Sequence, residues 1–299
     1  MALGVALLAG AGCTRSSKHV LTEVQATGPT LMDNGLLGLN RAQVEAELRR
    51  TLLATGHFAI AEPGSKHDPE KAAAVTLELP FTRESRKEGR AGTFAEVGAS
   101  LTIRRKMGGV TFRYEVAGLG EVRIENPEGP ARTRAMRAAL SSALQQVAQA
   151  AHLQLAALDK SDADLLRDLR TGDPRVQEFA IRVLAERKNP AVVETLLERL
   201  RESEDPEQLR QAMGALAEMR EQRAVRPLID LTRGKDPAFV QEVLFAIAQI
   251  GGEEAMAYLF TVAQGHDDPH LRAAAQKALD EIGAREKLRR TRTAEGGTP

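Results

Sequence analysis

Histidine, aspartate and cysteine are among the residues of this 299-residue chain whose side chains could bind a metal. Two of the six histidines lie close together in sequence, in the segment His266-Asp-Asp-Pro-His270. Two imidazoles and a carboxylate can form a metal site, but Asp268 is also placed to cap a helix, and we predict that it does so. The chain has no glycine-rich phosphate loop, serine elbow or paired zinc-ligand motif. We therefore expect no metal, cofactor or catalytic residue; the missing motifs favour a non-enzymatic protein without excluding an enzyme.

The composition narrows the class of protein. Lys and Arg together number 41, as do Asp and Glu, so the formal net charge is zero, whereas nucleic-acid-binding proteins usually carry a basic excess. Aromatic residues make up 3% of the chain and tryptophan is absent, which disfavours stacking on bases. A single cysteine excludes an internal disulfide framework. No apolar run reaches the roughly 18 residues that mark a membrane-spanning helix.

The first twelve residues, MALGVALLAGAG, carry no charge and end in small residues directly before Cys13. A short apolar stretch of this kind is typical of a secretory signal. Small residues before a lone cysteine resemble the lipobox of bacterial lipoproteins. The resemblance implies a signal peptide over 1–12, a lipid attached to Cys13 and a tether over 13–19. Two features depart from the pattern, since Gly10 stands where lipoboxes usually have Leu and no basic residue precedes the apolar stretch.

Lipid anchoring would hold the chain at a membrane surface without a spanning segment. Thr14, rather than Asp, follows the cysteine. By resemblance to enterobacterial sorting, this implies the outer membrane, with the protein facing the periplasm. The alternative is that the first residues form a buried strand and Cys13 is an incidental thiol.

Residues 20–158 are predicted to form a small α+β domain. Apolar residues indicate strands at 20–26, 57–62, 73–79 and 110–116, and a further strand from Phe94 to Ile103 before the hairpin turn. Asn40 is predicted to cap a helix, the pair Gly108-Gly109 to form a hairpin turn, and Ala131–Leu158 to form a long helix. The polar segment Glu84–Gly92 is expected to be a mobile loop. From the element order we expect an antiparallel sheet packed on its helices.

Two further features of this domain bear on function. The run from Ala54 to Pro63 resembles the helix-to-strand step of periplasmic lipoprotein domains of the curli-secretion or cell-wall-synthase-activator kind; only element order and this run match, and no functional residue is carried over. The region Arg83–Arg113 holds eight basic and three acidic residues. It could face anionic lipid or polymer, or be a solvated edge hairpin whose charges prevent strand pairing. The second interpretation is favoured.

The C-terminal half contains an internal repeat. Asp-Pro occurs at 173–174, 205–206, 236–237 and 268–269, at spacings of 32, 31 and 32 residues. Ten residues after each proline the side chain is again apolar: Leu184, Leu216, Ile247 and Leu279. A second apolar segment precedes each Asp-Pro, so each unit is predicted to be a helix, an Asp-Pro turn and a second helix, with Asp as N-cap and Pro in the first turn. Such pairs must stack on their neighbours to bury their apolar faces.

This pattern resembles the HEAT-like repeat family, including the short bacterial repeats first named from phycobilisome lyases. The segment Asp268–Arg272, followed by Ala275–Leu279, is the best match. The resemblance implies an all-α solenoid of four helix pairs over 161–290 that follows the α+β domain, and it does not imply lyase activity. Residues 284–290 are expected to cap the stack, and residues 291–299 to be disordered.

The second helices normally line the concave side of the solenoid in this family. Exposed positions expected to contact a partner there are Arg175, Glu178, Arg182, Arg210, Gln211, Gln241, Glu242 and Lys277. Their mixed charges fit a protein partner better than a nucleic acid, which favours a basic stripe of one sign.

The sequence therefore predicts a lipid-anchored cell-envelope protein that acts as a protein–protein interaction scaffold. Two alternatives stay open. One is a periplasmic regulator of an envelope enzyme or of an outer-membrane assembly machine, acting through the α+β domain. The other is a cytosolic scaffold whose first residue is misassigned. The sequence does not identify the partner.

Overall fold

The structure is a computed structural model that describes residues 18–28, 35–62, 64–87, 89–125, 129–171 and 173–295, of which 171 and 286–295 are described by their backbone alone. The chain divides into two compact units, Met1–Ala156 and Ala157–Pro299. The predicted signal peptide and Cys13 lie outside the described residues.

The first unit contains a mixed sheet. Its elements are β1 (His19–Thr27), α1 (Arg41–Ala54), β2 (Phe58–Ile60), β3 (Ala73–Lys87), β4 (Arg90–Met107), β5 (Val110–Ile124) and α2 (Pro130–Asp159). The strand order is β2-β1-β3-β4-β5. β1 pairs in parallel with β2 and β3, while β3, β4 and β5 are antiparallel. The expectation of an antiparallel sheet is wrong for β1, because α1 joins β1 to β2 as a crossover that returns the chain in the same direction.

The predicted cap of α1 is confirmed. The Asn40 side chain accepts a hydrogen bond from the Gln43 backbone N–H, and the Gln43 side chain accepts one from the Asn40 backbone N–H. This reciprocal capping box satisfies two backbone donors at the helix start. The helix buries Val44, Leu48 and Leu52, which are the stripe that its sequence period indicates.

Residues 84–87 and 90–92 of the polar segment are strand rather than loop, because they form the paired ends of β3 and β4. Lys87 on β3 is in register with Arg90 on β4. The buried Glu96 carboxylate lies 2.9 Å from Arg83 Nε and 3.2 Å from Lys87 Nζ, and the hydrogen bond from Arg83 is the main cause that lowers the pKa of Glu96. Part of the basic charge of the region 83–113 is therefore neutralised within the sheet. The loop prediction is wrong because these polar side chains pair across strands.

α2 packs closely on β5 at two glycines. A Cβ added at Gly118 would lie 2.6 Å from the Ala143 carbonyl oxygen, and one added at Gly120 would overlap the Ala139 carbonyl. Neither glycine has a positive φ. The need for glycine at these positions therefore comes from the close approach of the helix, not from the backbone conformation.

In the part of the second unit that the structure describes, the α-helices after α2 form four pairs. The pairs are α3 (Asp162–Thr171) with α4 (Pro174–Glu186), α5 (Val193–Glu202) with α6 (Pro206–Met219), α7 (Val225–Leu231) with α8 (Pro237–Ile250), and α9 (Glu253–Gly265) with α10 (Pro269–Glu295). The fold class predicted from the sequence, an α+β domain followed by a HEAT-like helical-repeat solenoid, is confirmed.

Each second helix starts at an Asp-Pro step, as predicted. A carboxylate oxygen of Asp173, Asp205 and Asp268 accepts from the backbone N–H two residues on, at 2.9, 2.9 and 2.8 Å, and Asp236 accepts from Phe239 N–H at 3.1 Å. The proline that follows has no N–H to leave unsatisfied in the first turn. All four second helices therefore begin at the same position of the repeat.

The predicted apolar columns form the interior of the helical unit. The residues six after each proline, Ala180, Ala212, Val243 and Ala275, are fully buried. Thirteen after the first proline, Arg187 stands where the other repeats are apolar. Arg187 donates hydrogen bonds to the carbonyl oxygens of Leu158 and Lys160 and to the Asp162 carboxylate. The guanidinium thus satisfies acceptors where α2 ends and α3 begins. This role explains why the first repeat has an arginine at a position that is apolar in the other three.

The last helix is longer than the sequence predicts. α10 continues to Glu295. Residues 284–290, predicted to cap the stack, are therefore part of this helix, and residues 291–295, predicted to be disordered, are helical. The segment contains no proline or glycine before residue 296 apart from Gly283. A helix already nucleated by packing propagates readily through such residues. Residues 296–299 lie outside the described part of the chain.

Replacing Gly120 with Ala should destabilise the first unit by about 1–3 kcal/mol, because the added methyl group overlaps the backbone of α2. Gly35, which is exposed and has no atom within 4 Å of an added Cβ, provides the matched control; Gly35→Ala should shift stability by less than about 0.5 kcal/mol. Thermal unfolding followed by circular dichroism measures both. Equal melting temperatures for the two variants would contradict the close packing of α2 on β5.

Candidate protein-binding surface

The second helices form a continuous surface. α4 packs against α6, α6 against α8, and α8 against α10. Because every second helix begins at the same position of the repeat, equivalent positions on neighbouring helices lie side by side. We call the outward positions of α4, α6, α8 and α10 the second-helix surface.

All eight residues predicted to contact a partner lie on these helices, and none is buried. Five are exposed: Arg175, Arg210, Gln241, Glu242 and Lys277. Three are partly buried: Glu178, Arg182 and Gln211. The structure therefore places the whole predicted set where another molecule can reach it.

Two ion pairs join members of this set. Arg210 Nε on α6 lies 2.8 Å from a Glu242 carboxylate oxygen on α8, and this hydrogen bond is the largest cause that raises the pKa of Arg210. Arg182 pairs with Glu178 one turn earlier on α4, at 3.3 Å. The exposed Arg210–Glu242 pair contributes little to stability. Its charges can therefore exchange partners when another protein binds, at little cost to the fold.

Arg175 and Lys277 lie on the first and last of the second helices. Among the described residues, neither takes part in an ion pair. The surface thus carries unpaired cations towards its two ends and a paired Arg210–Glu242 in its middle. A partner with acidic groups at its margins would complement this arrangement.

Phe245 also lies on this surface, although it was not among the residues predicted from the sequence. It follows Glu242 by three positions on α8, so the two lie on the same face of the helix, and its side chain is 58% exposed. The equivalent position on α6 is Gly214, where an added Cβ would meet no atom within 4 Å. A large exposed aromatic side chain therefore stands beside open space.

A signal for Phe245 was present in the repeat. The position eight after each proline is occupied by Arg182, Gly214, Phe245 and Lys277. A column with two cations and a glycine faces solvent, so a phenylalanine in that column is an exposed apolar residue rather than a core residue.

The histidines do not form the arrangement considered from the sequence. His266 Nδ1 lies 3.0 Å from the Asp268 backbone nitrogen, and Asp268 caps α10. In the first unit the structure brings together His19, His57 and His152, although these residues are far apart in sequence. His19 Nε2 lies 3.1 Å from His152 Nδ1, and the rings of His57 and His152 stack with their centroids 3.7 Å apart. In the part of the chain that the structure describes, no group of three or more His, Cys, Asp or Glu side chains is arranged to hold a metal ion.

Comparison with known proteins identifies the repeats. The family model for HEAT repeats matches residues 163–244 and 225–290, so the helical unit consists of HEAT-like repeats, a class that commonly mediates protein–protein interaction. The match is to HEAT repeats in general and does not extend to the phycobilisome-lyase type. No curated protein matches the chain.

Among solved structures, the chain is similar to the hypothetical protein CT253 from Chlamydia trachomatis, with 13% identity and a TM-score of 0.32 over 48% of this chain and 95% of that one. A similarity of this size defines neither fold nor function. Among the described residues, no helix is long and apolar enough to cross a membrane.

Two neighbouring residues of α8 should respond differently to truncation. Leu244 is 1% exposed, so Leu244→Ala should destabilise the helical unit by about 2–5 kcal/mol through the cavity it leaves. Phe245→Ala should change stability by less than about 0.5 kcal/mol, because that side chain already faces water. Urea unfolding of the full chain, followed by the helical signal at 222 nm, compares them. A large loss of stability in Phe245→Ala would show that this residue belongs to the core.

Proposed function

We propose that this protein is a lipid-anchored scaffold of the bacterial cell envelope that binds a protein partner through the second-helix surface. The HEAT-like repeats support the scaffold role. The exposed position of Phe245, in the middle of a face built from four aligned helices, is the observation that carries the choice of this surface.

Phe245 has the properties of an interface anchor. Aromatic residues near the centre of an interface contribute most of the binding energy when a partner removes them from water, and the polar residues around them mainly exclude solvent. The open space beside Gly214 can admit an apolar side chain of the partner against the ring. Glu242, one turn earlier on α8, and its ion-pair partner Arg210 on α6 supply an anion and a cation that can orient a partner of mixed charge.

The proposed lipid anchor is supported by the sequence alone. An uncharged stretch of small and apolar residues precedes the lone Cys13, where the lipid of a bacterial lipoprotein is attached. Attachment there would leave a short tether before β1 begins at His19. We propose the periplasmic face of the outer membrane as the location, on the basis of Thr14 after the cysteine.

Truncation of Phe245 should weaken binding of the partner. Proximity cross-linking in the native cell, followed by mass spectrometry, identifies proteins recovered with the full chain. Phe245→Ala should reduce recovery of the specific partner by about 30-fold or more, which corresponds to the roughly 2 kcal/mol or greater effect of a hot-spot residue.

The control for this experiment is Phe260→Ala. Phe260 is 59% exposed but lies on α9, a first helix, so its truncation should leave recovery unchanged. If Phe245→Ala keeps the partner while a substitution in the first unit removes it, the helical unit is only a spacer. The function would then belong to the α+β unit, as in the regulator alternative.

Anchoring is tested separately. Cys13→Ser should move the protein from the detergent phase to the aqueous phase in a partition assay, because no acyl chain is then attached. The wild-type protein should be recovered in the detergent phase without its first twelve residues. A wild-type protein that is aqueous and retains Met1 would contradict the lipoprotein assignment and leave the partner proposal standing.

A further inference from the structure

The outer edge of β5 has the features of a strand-pairing surface. β5 lies at one edge of the sheet, and three large apolar side chains on it are exposed: Val110, Phe112 and Leu119. Edge strands usually avoid such side chains, because an apolar edge invites another strand to pair with it. This surface is independent of the second-helix surface.

The hydrogen bonds of Leu119 show which backbone groups point outward. Its N–H donates to Gln146 Oε1 at 3.1 Å, and its carbonyl accepts from Gln146 Nε2 at 2.8 Å, so neither group is directed at β4. Outward and inward groups alternate along an antiparallel strand. The N–H and C=O groups of residues 111, 113, 115 and 117 therefore point away from β4 as well.

Gln146 also sets the length of the available edge. Its side-chain amide takes the place that a next strand would occupy at Leu119, so the edge open to pairing runs from Val110, where β5 begins, to Gly118. The middle of this nine-residue run is Tyr114. A run with a defined centre can pair antiparallel with an identical run about a twofold axis.

The charges on this run are self-complementary. Arg113 lies directly across from Arg104 on β4, and Arg104 is already paired with Glu23 at 2.7 Å. Among the described residues Arg113 takes part in no ion pair, and its guanidinium lies 3.4 Å from the Thr102 hydroxyl. Pairing about Tyr114 would place Arg113 opposite Glu115 of a second copy, and Glu115 opposite Arg113 of that copy.

We propose that two copies of this chain associate through antiparallel pairing of their β5 strands, centred on Tyr114. Thr111 then faces Ala117 of the second copy, and the outward groups of the two strands form about eight main-chain hydrogen bonds. Phe112 lies across from Val116 of the second copy, a favourable aromatic and β-branched pair. Val110 faces Gly118 of the second copy, so the pairing ends one residue before Leu119, whose backbone groups are bonded to Gln146.

A second copy fits this edge better than an unrelated strand does. The Glu115 carboxylate already accepts a hydrogen bond from the Ser100 hydroxyl, and an unrelated strand would have to supply an anion opposite Arg113 and a group compatible with this carboxylate, in the same register. A second copy supplies both by symmetry, and its length matches the edge that Gln146 leaves.

A charge swap tests the register. The mass of the full chain is measured by light scattering under reducing conditions, up to about 100 μM, where a complex with a Kd near 10 μM is mostly formed. The wild type should be a dimer. Arg113→Glu and Glu115→Arg should each be monomeric, because each places like charges across the twofold axis, and the double variant should regain the dimer. Lys106→Glu is the control: Lys106 is exposed on β4, one strand from the edge, and this variant should stay dimeric.

A second variant blocks strand pairing without changing any charge. Ala117→Pro removes an outward N–H that is not bonded to β4; proline is tolerated there by an edge strand but blocks pairing with another. It should be monomeric with an unchanged circular dichroism spectrum. A monomeric wild type, a dimer that survives Ala117→Pro, or a folded double-charge variant that stays monomeric would each overturn the proposal. If the single-charge variants fail to fold, Ala117→Pro decides.

Discussion

The helical unit depends on the Asp-Pro step that begins every second helix. A pair of short helices cannot bury its apolar stripe alone, so its stability comes from stacking on the next pair. Stacking requires that the buried columns of successive pairs coincide. The aspartate cap and the proline after it fix the first turn of α4, α6, α8 and α10 at one position of the repeat, and this fixes which side chains point inward.

The same constraint determines the outer face. Once the inward columns are aligned, the outward columns are aligned as well, and residues 31 or 32 positions apart become neighbours. Arg210 and Glu242 meet in this way across two repeats. Phe245 occupies a column that the fold does not use for its core, so its exposure serves no packing role within the described chain. An extended surface of this kind suits recognition of another protein, because it presents several contacts from a rigid scaffold.

Local and repeated features of the fold were predictable from the sequence, and non-local ones were not. The Asp caps, the Asn40 cap and the Gly108-Gly109 turn each depend on residues a few positions apart, and the pattern of the repeat occurs four times in the sequence. The parallel pairing of β1 and the length of the β3–β4 hairpin depend on partners distant in the chain, such as Glu96 for Arg83. The contact between His19 and His152, which are 133 residues apart, could not be predicted from the spacing of nearby residues. Phe245 is a large apolar residue, a type that the repeat pattern assigns to the core, and only its column, shared with Arg182, Gly214 and Lys277, indicates that it is exposed.

Site-specific photo-cross-linking shows whether a protein partner lies on the second-helix surface. A photoreactive phenylalanine analogue is placed at position 245 in one full-length variant and at position 260 in another, and both are irradiated in the native cell. A partner on the second-helix surface should give a discrete cross-linked adduct with one protein from position 245 and none from position 260, although the two side chains are almost equally exposed. An adduct from position 260 with none from position 245 would place the partner on another surface.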